Sequence, residues 1–300
     1  MTSIIAIIVS LNPERHKLET LILALLNQVD KIILVDNGSV RSSVDWVEAK
    51  FLNGIVDVIY LNENLGIAIG QNVGIKHAQQ HKPEYVAIFD HDSNPSSNML
   101  STLREAIEKL KSGGVKVAAV GPRYLDSRQN NPPPFIKIDG IRFVRQKCIE
   151  GNNVVPVSYL ISSGSLIPLA TLNEVGLMRE DLFIDYVDIE WGLRASEFGY
   201  NSFGVCNAYM EHQLGEDPIY FLGKAIPLHS PLRHYYHFRN AVWLYRKPYL
   251  PLSWKFADGL RLILKFVFYS AFAKPRHQHF LLMTKGIWHG LIGKVGKFSG

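Results

Sequence analysis

Two aspartates one residue apart, Asp90 and Asp92, close the apolar run Val86-Ala87-Ile88-Phe89. Such a run fits a strand buried on both faces, and carboxylates at its C-terminal end stand where open α/β sheets bind ligands. Two hard oxygen ligands suit Mg²⁺ or Mn²⁺, and such an ion would hold a diphosphate. An Asx-rich turn that merely ends a strand uses the same residues, so the pair needs company before it means chemistry.

Other clusters offer that company. Asp36, in Asp36-Asn37-Gly38-Ser39, ends another apolar run. An acid there can accept hydrogen bonds from a base or ribose, or simply cap a turn. Asn64 precedes Gly66, Gly70 and Gly74, with Gln71 and Asn72 among them. On a helix this four-residue spacing makes a smooth stripe, which admits close sheet packing or a ligand. It is neither a Walker loop nor a dinucleotide fingerprint. Asp185, Asp188 and Glu190 fall within six residues at the start of an amphipathic stretch. The helix dipole stabilises acids there, and Asp188 can also act as a general base. Glu190 and Arg194 stand four apart, a spacing that pairs on a helix. His212 follows an apparent strand, and a lone histidine is more often a surface residue than a ligand. His229, His234 and His237 lack ligand spacing, and no nucleophile elbow, His-Glu-x-x-His or Cys-x-x-Cys is present.

The elements that must position these groups alternate. Strands are expected at 4–10, 31–35, 56–61, 85–89 and 115–120, and helices at 14–26, 68–79 and 99–110. Alternation of this kind implies right-handed crossovers and a mostly parallel α/β sheet. Residues 122–154 are polar and proline-rich, including Pro132-Pro133-Pro134, and read as a long binding loop with a short strand near 141–144. Order is expected again at 155–168, in a helix at 189–198 and in a strand at 202–205.

Three hundred residues, 47% apolar and 20% charged, are an ordinary globular composition with material for a large core. Cys148 and Cys206 are too few for a disulfide framework or a four-cysteine zinc site, so a reducing cytosolic setting is expected. Ile4–Val9 is apolar but short and lacks a preceding basic region, unlike a signal peptide. From Tyr245 onward ten Lys or Arg face one acid, Asp258, so this tail carries +9; with +5 overall, the first 244 residues carry −4. Between Lys255 and Ala271, helical spacing gathers Phe256, Leu260, Ile263, Leu264, Val267, Phe268 and Ala271 on one arc. The run is too short and too charged to span a bilayer. It can lie on an anionic membrane surface or pack on its own domain. Nucleic acid is a poorer partner, because aliphatic rather than stacking aromatic side chains interleave the basic residues.

In order along the chain, the motifs resemble glycosyltransferase family 2 with the GT-A fold, and within it bacterial rhamnosyltransferases. The likeness covers about residues 4–245. It runs through Ile-Val-Ser-Leu-Asn-Pro at 8–13, Val-Asp-Asn-Gly-Ser at 35–39, Asn-Leu-Gly-Ile-Ala at 64–68 and Gln-Asn-Val-Gly-Ile at 71–75. Asp-His-Asp at 90–92, Ser-Ser-Gly-Ser at 162–165 and Phe-Ile-Asp-Tyr-Val-Asp-Ile-Glu-Trp-Gly-Leu-Arg at 183–194 continue it. His-Gln-Leu-Gly at 212–215 and Tyr-Tyr-His-Phe-Arg-Asn at 235–240 close it.

The resemblance implies a catalytic domain over 1–215, with a nucleotide-sugar half to about 120 and an acceptor half beyond, and a helical, basic extension over 216–300. It implies donor contacts from Asn12, Asp36, Asn64, Gly66, Gln71 and Asp90, and a Mg²⁺ or Mn²⁺ ion on Asp90 and Asp92, which His212 completes. Asp188 matches the position of the inverting base, with Asp185 as a rival. Ser163, Gly164, Asp185, Glu190, Trp191 and Arg194 fall at the acceptor side or behind the site. Relatives often carry Glu-Asp where this chain has Val187-Asp188, so only the aspartate is carried over. The implied donor is dTDP-L-rhamnose, with a UDP-hexose or galactofuranose as runner-up. The implied acceptor is a saccharide, lipid-linked at the cytoplasmic face of the membrane in surface-polysaccharide or O-antigen synthesis. Haloacid-dehalogenase-like phosphatases also use Asp-x-Asp, but after their first strand. Nucleotidyltransferases expect a glycine-rich basic loop where Ser10-Leu11-Asn12-Pro13 stands. A non-catalytic sugar-nucleotide-binding module at the membrane is the alternative outside enzymes.

Overall fold

Every residue of Ile4–Ser10 (β1) is buried, as a continuous apolar run demands when helices cover both faces of a sheet. The computed structural model describes residues 3–40, 43–51, 54–125, 135–149, 153–211, 219–221, 224–226 and 228–299. In chain order, α1 (Arg15–Leu25), β2 (Lys31–Asn37), α2 (Trp46–Lys50), β3 (Val56–Leu61), α3 (Ile67–Gln80) and β4 (Tyr85–Asp90) follow β1. Then come β5 (Asn94–Pro95), α4 (Met99–Ser112), β6 (Val117–Leu125), β7 (Phe135–Asp139), β8 (Arg142–Gln146), β9 (Val154–Val157) and β10 (Leu166–Pro168). The rest is α5 (Leu169–Val175), α6 (Val187–Glu197), β11 (Asn201–Glu211), β12 (Ile219–Phe221), β13 (Lys224–Ile226), α7 (Pro231–Tyr245), α8 (Leu252–Phe272) and α9 (Arg276–Ile292).

The main sheet runs β3-β2-β1-β4-β10-β6-β11-β5, with β9 beside β11. The pairs β3–β2, β2–β1, β1–β4 and β6–β11 are parallel, and β10 enters antiparallel between β4 and β6. The α/β, mostly parallel architecture expected from the alternation is therefore present. Gly70 and Gly74 serve packing: a Cβ would lie 2.7 Å from Val9 Cγ1 and 2.4 Å from Ile7 Cγ2. The stripe lets α3 sit directly on β1.

Several expectations need correction. Residues 135–146 form a hairpin, β7–β8, of which the strand-like piece at 141–144 is one arm. It is held to β9 by Ile138 N–H donating to Ser158 Oγ at 2.8 Å. Its solvent-facing polar residues hid the pattern. Strand β11 reaches Glu211, well past 205, because its later residues alternate buried and exposed. Cys148 and Cys206 are disulfide-bonded, a bond at odds with the reducing setting expected from so few cysteines. The hairpin's fold-back brings residues 58 apart to a Cα separation of 5.6 Å, which spacing alone could not show.

In the tail, α8 turns Asp258 and Lys265 inward. Asp258 is buried and accepts from Tyr186 Oη at 2.9 Å and Tyr245 Oη at 2.6 Å. Lys265 Nζ reaches His237 Nε2 at 2.9 Å. The apolar arc faces out: Phe256 is 70% exposed, and Leu260, Ile263, Leu264 and Val267 are 63–64% exposed. Helix α9 adds exposed Phe280, Leu281, Trp288, Leu291 and Ile292. Among the described residues no helix is long and apolar enough to cross a membrane.

Candidate active site

Strand β1 lies between β2 and β4, so successive crossovers leave it in opposite directions, and a crevice opens past the C-terminal strand ends. Val9 pairs with Asp90 across that edge. The cleft there encloses about 600 Å³. Ser10, Asn37, Asn64, Gly66, Gln71, Asp90 and Asp92 line it from the strand ends and α3, and Asp185, Asp188, Arg233 and His237 from the segment around the start of α6 and from α7.

The turn carrying the Asp-x-Asp pair is pinned from behind. Asp90 N–H donates to Ser163 Oγ at 3.0 Å, and Ser163 Oγ also meets Ser93 Oγ at 2.7 Å. Gly164 N–H donates to Ile88 O at 2.7 Å. Ser163 and Gly164 thus hold this turn; neither lines the cleft. Asp90 and Asp92 are half-buried and face the cleft, a hard-oxygen donor pair that fits a magnesium or manganese ion. Buried Gln71 points to a polar ligand as well, since its Oε1 has no hydrogen-bond partner. His212 lies outside the described residues.

Asp36 is almost fully buried, and its carboxylate accepts from Ser39 N–H at 3.1 Å, from the Ser39 hydroxyl and from Ser10 Oγ at 3.4 Å. It organises the turn, and its neighbour Asn37 lines the cleft in its place. Asn12 is exposed and ties two loops together, accepting from Val40 N–H at 3.0 Å and donating its own N–H to Ser39 Oγ at 2.7 Å. Asn64 Oδ1 accepts from Gly66 N–H at 3.0 Å and Asn37 Nδ2 at 3.3 Å. Gly66 has φ +93°, and a Cβ there would sit 2.5 Å from Phe183 O, so only glycine fits where the two sides of the cleft touch.

Asp188 occupies the first turn of α6 and accepts from Ile189 N–H at 2.9 Å. Burial pushes its carboxyl up to about 6; Asp185 and Asp90 add to the rise, and the backbone donors oppose it. An acid poised there is matched to proton transfer near neutral pH. Asp185 instead holds Arg233 with both oxygens, at 3.1–3.4 Å. Glu190, Trp191 and Arg194 face the interior behind α6. Arg194 binds Glu190 at 2.9 and 3.1 Å and caps Val175 O and Leu177 O, while Trp191 Nε1 donates to Gly176 O at 2.9 Å. The three fix the helix that carries Asp188.

The segment leading into α6 departs from ordinary backbone. Phe183, Asp185 and Tyr186 all have positive φ, at 65°, 63° and 63°. Each such residue costs about 1–3 kcal/mol and persists only where its surroundings hold it.

Sequence reasoning missed the contribution of α7. Arg233 and His237 line the cleft, and Asn240 stands three residues on: polar residues at i, i+4 and i+7 along one face of the helix. That stripe was the available signal. Burial and the adjacent Lys265 hold His237 neutral, so its Nε2 accepts from the ammonium. Asp57, His77 and His81 also group closely, but at the opposite end of the sheet: Asp57 near the start of β3, the histidines where α3 ends.

Residues 5–160 match the family described as Glycosyl transferase family 2. The chain is 34% identical over 256 residues to the dTDP-rhamnosyl transferase RfbF of Shigella flexneri, covering 84% of this chain and 82% of that one. Among solved structures it resembles GalNAc-T7 with UDP, GalNAc and Mn²⁺, with TM-score 0.62 and 13% identity, spanning 98% of this chain and 58% of that chain. It also resembles S. aureus TarS 1-349 in complex with UDP-GlcNAc, with TM-score 0.57 and 17% identity over 97% and 81% of the respective chains.

Proposed function

Because the chain belongs to glycosyltransferase family 2, we propose that its cleft carries out a metal-dependent, inverting transfer of L-rhamnose from dTDP-L-rhamnose to a saccharide acceptor. The observation that carries this reading is Asp188, poised to titrate near neutrality in the cleft that also holds Asp90 and Asp92. Asp188 removes the proton of an acceptor hydroxyl. That oxygen attacks the anomeric carbon from the face opposite the diphosphate, and the bond from that carbon to the diphosphate oxygen breaks. Mg²⁺ or Mn²⁺, held by Asp90 and Asp92, would supply neutralising charge for the departing diphosphate. Arg233 adds a fixed cation on the facing side. Asp185, with both oxygens committed to Arg233, is the weaker candidate for the base.

Asn64, Gly66 and Gln71 are the donor contacts favoured by position, together with Asn37; Asp36 and Asn12 act through the loops they hold. The donor assignment draws on likeness to a protein named as a dTDP-rhamnosyl transferase. UDP-sugars are the second reading, favoured by the UDP and UDP-GlcNAc in the similar structures. Calorimetric titration with dTDP-L-rhamnose, UDP-glucose and UDP-galactofuranose, each with Mn²⁺, decides between them. Tightest binding of the dTDP-sugar is expected, and binding of a UDP-sugar alone would replace it.

We read residues 1–215 as the catalytic unit and 216–300 as an extension that meets an anionic membrane, bringing the cleft to a lipid-linked acceptor in surface-polysaccharide synthesis. The outward apolar face of α8 and α9, bordered by exposed Lys274 and Arg276, supports that partner. The matching location is the cytoplasmic face of the membrane, although a disulfide is unusual in a reducing compartment. Sedimentation with phosphatidylglycerol-containing vesicles tests it. Wild-type protein should pellet and the double variant Leu264→Asp/Val267→Asp should not; equal behaviour removes the membrane from the account.

A further inference from the structure

The path from Leu182 to Tyr186 places Asp188, and it is an uncomfortable one for L-residues. At Phe183 (φ 65°, ψ −62°) Ile184 N–H closes back on Leu182 O at 2.8 Å, the rare, strained form of γ-turn. Asp185 and Tyr186 then take left-handed φ before α6 begins. The side chain of Asn240, fully buried on α7, converges on this segment. Its Nδ2 lies 2.9 Å from Leu182 O, 2.7 Å from Ile184 O and 2.9 Å from Asp185 O, so its two N–H bonds are shared among the three carbonyls. Neighbouring Arg239, also fully buried, adds Nη2 to Leu182 O at 3.0 Å. From the donor side, Ile67 N–H donates to Phe183 O at 2.7 Å, and the Phe183 ring stacks on Tyr236 at 4.8 Å.

Neither Asn240 nor Arg239 lines the cleft. One amide group that gathers three carbonyls from four consecutive residues fixes the direction of the chain there. An apolar residue of the same size would fill the space but take this donor from Ile184 O and Asp185 O, while Leu182 O would keep Arg239 and Ile184 N–H. We propose that Asn240, with Arg239 beside it, is a positioning residue: it holds the segment 182–186 on the path that aims Asp188 at the acceptor hydroxyl. This role rests on the glycosyl-transfer reading, and the clamp itself can be tested without it.

The test compares wild type with Asn240→Ala by hydrogen exchange, donor calorimetry and turnover. The expected pattern is faster exchange confined to amides 183–188, unchanged affinity for nucleotide-sugar with Mn²⁺, and kcat lower by about a hundredfold, the scale of a small misplacement of a reacting group. Any other pattern in folded protein overturns the proposal, including wild-type exchange in that segment or a loss that falls in donor affinity. If Asn240→Ala does not fold, Arg239→Lys is judged by the same criteria with a smaller loss in kcat. If the wild type transfers no sugar from any donor, the glycosyl-transfer reading fails and the exchange result alone decides the clamp.

Discussion

Replacing Asp188 by asparagine should make the protein more stable at alkaline pH while removing its activity. The cleft lifts this carboxyl from the ordinary 3.8 to about 6, chiefly by burial. At 1.36 kcal/mol per pH unit, that gap corresponds to about 3 kcal/mol. The carboxyl's pKa is raised on folding, so its contribution favours the fold fully below the ordinary value and is lost as pH rises through about 6. Above that pH the wild type carries an ionised group that its surroundings disfavour, and asparagine does not. Partial exposure of the side chain reduces the figure, so about 3 kcal/mol is the ceiling. At roughly 2 °C per kcal/mol for a chain of this size, the variant should melt up to about 6 °C higher near pH 8. The difference should vanish near pH 4. Paired thermal melts of wild type and variant across that range make the measurement. A variant that melts at or below the wild type at both ends would show that Asp188 does not stand desolvated in the cleft.

With the base required in its ionised form, kcat/KM should fall on the acid side with a midpoint near 6, and a profile flat to pH 5 would exclude Asp188 as that base. Arg233→Ala removes a cation from the cleft and should weaken nucleotide-sugar binding by about 10–100-fold, the size of a hydrogen bond to a charged group; calorimetry reads it. Cys148→Ser opens a link across 58 residues and should cost about 4 kcal/mol in oxidising buffer but nothing in reductant. Equal denaturant midpoints in both buffers would mean the bond does not form in solution.

Buried parallel strands were plain in the sequence because β1, β2 and β4 lie between covering layers and read as unbroken apolar runs. The acids at their ends were visible for the same reason, since polarity stops such a run abruptly. What escaped notice depends on contacts distant in sequence. The β7–β8 hairpin is half exposed, so its alternation is weak, and its cysteine meets Cys206 only after folding. Asp36 reads as a ligand by motif, and Ser10 at the end of β1 and Ser39 in the turn after β2 donate to its oxygens. The apolar arc of α8 was legible, but its direction was not. Asp258, Lys265 and their partners Tyr186, just before α6, and His237 and Tyr245 on α7 determine which side turns inward. The polar stripe of α7 is spaced for one helix face, and nothing in the sequence says that this face meets a strained turn before α6.

The most direct measurement is release of nucleoside diphosphate from dTDP-L-rhamnose with Mn²⁺ and a saccharide acceptor, for wild type and Asp188→Asn, alongside donor titration of both. Placement of Asp188 in the cleft that also holds the Asp-x-Asp pair predicts turnover in the wild type, turnover about 10²–10⁴-fold lower in the variant, and equal donor affinity. Undiminished release by the variant, or donor binding lost with turnover intact, would contradict it.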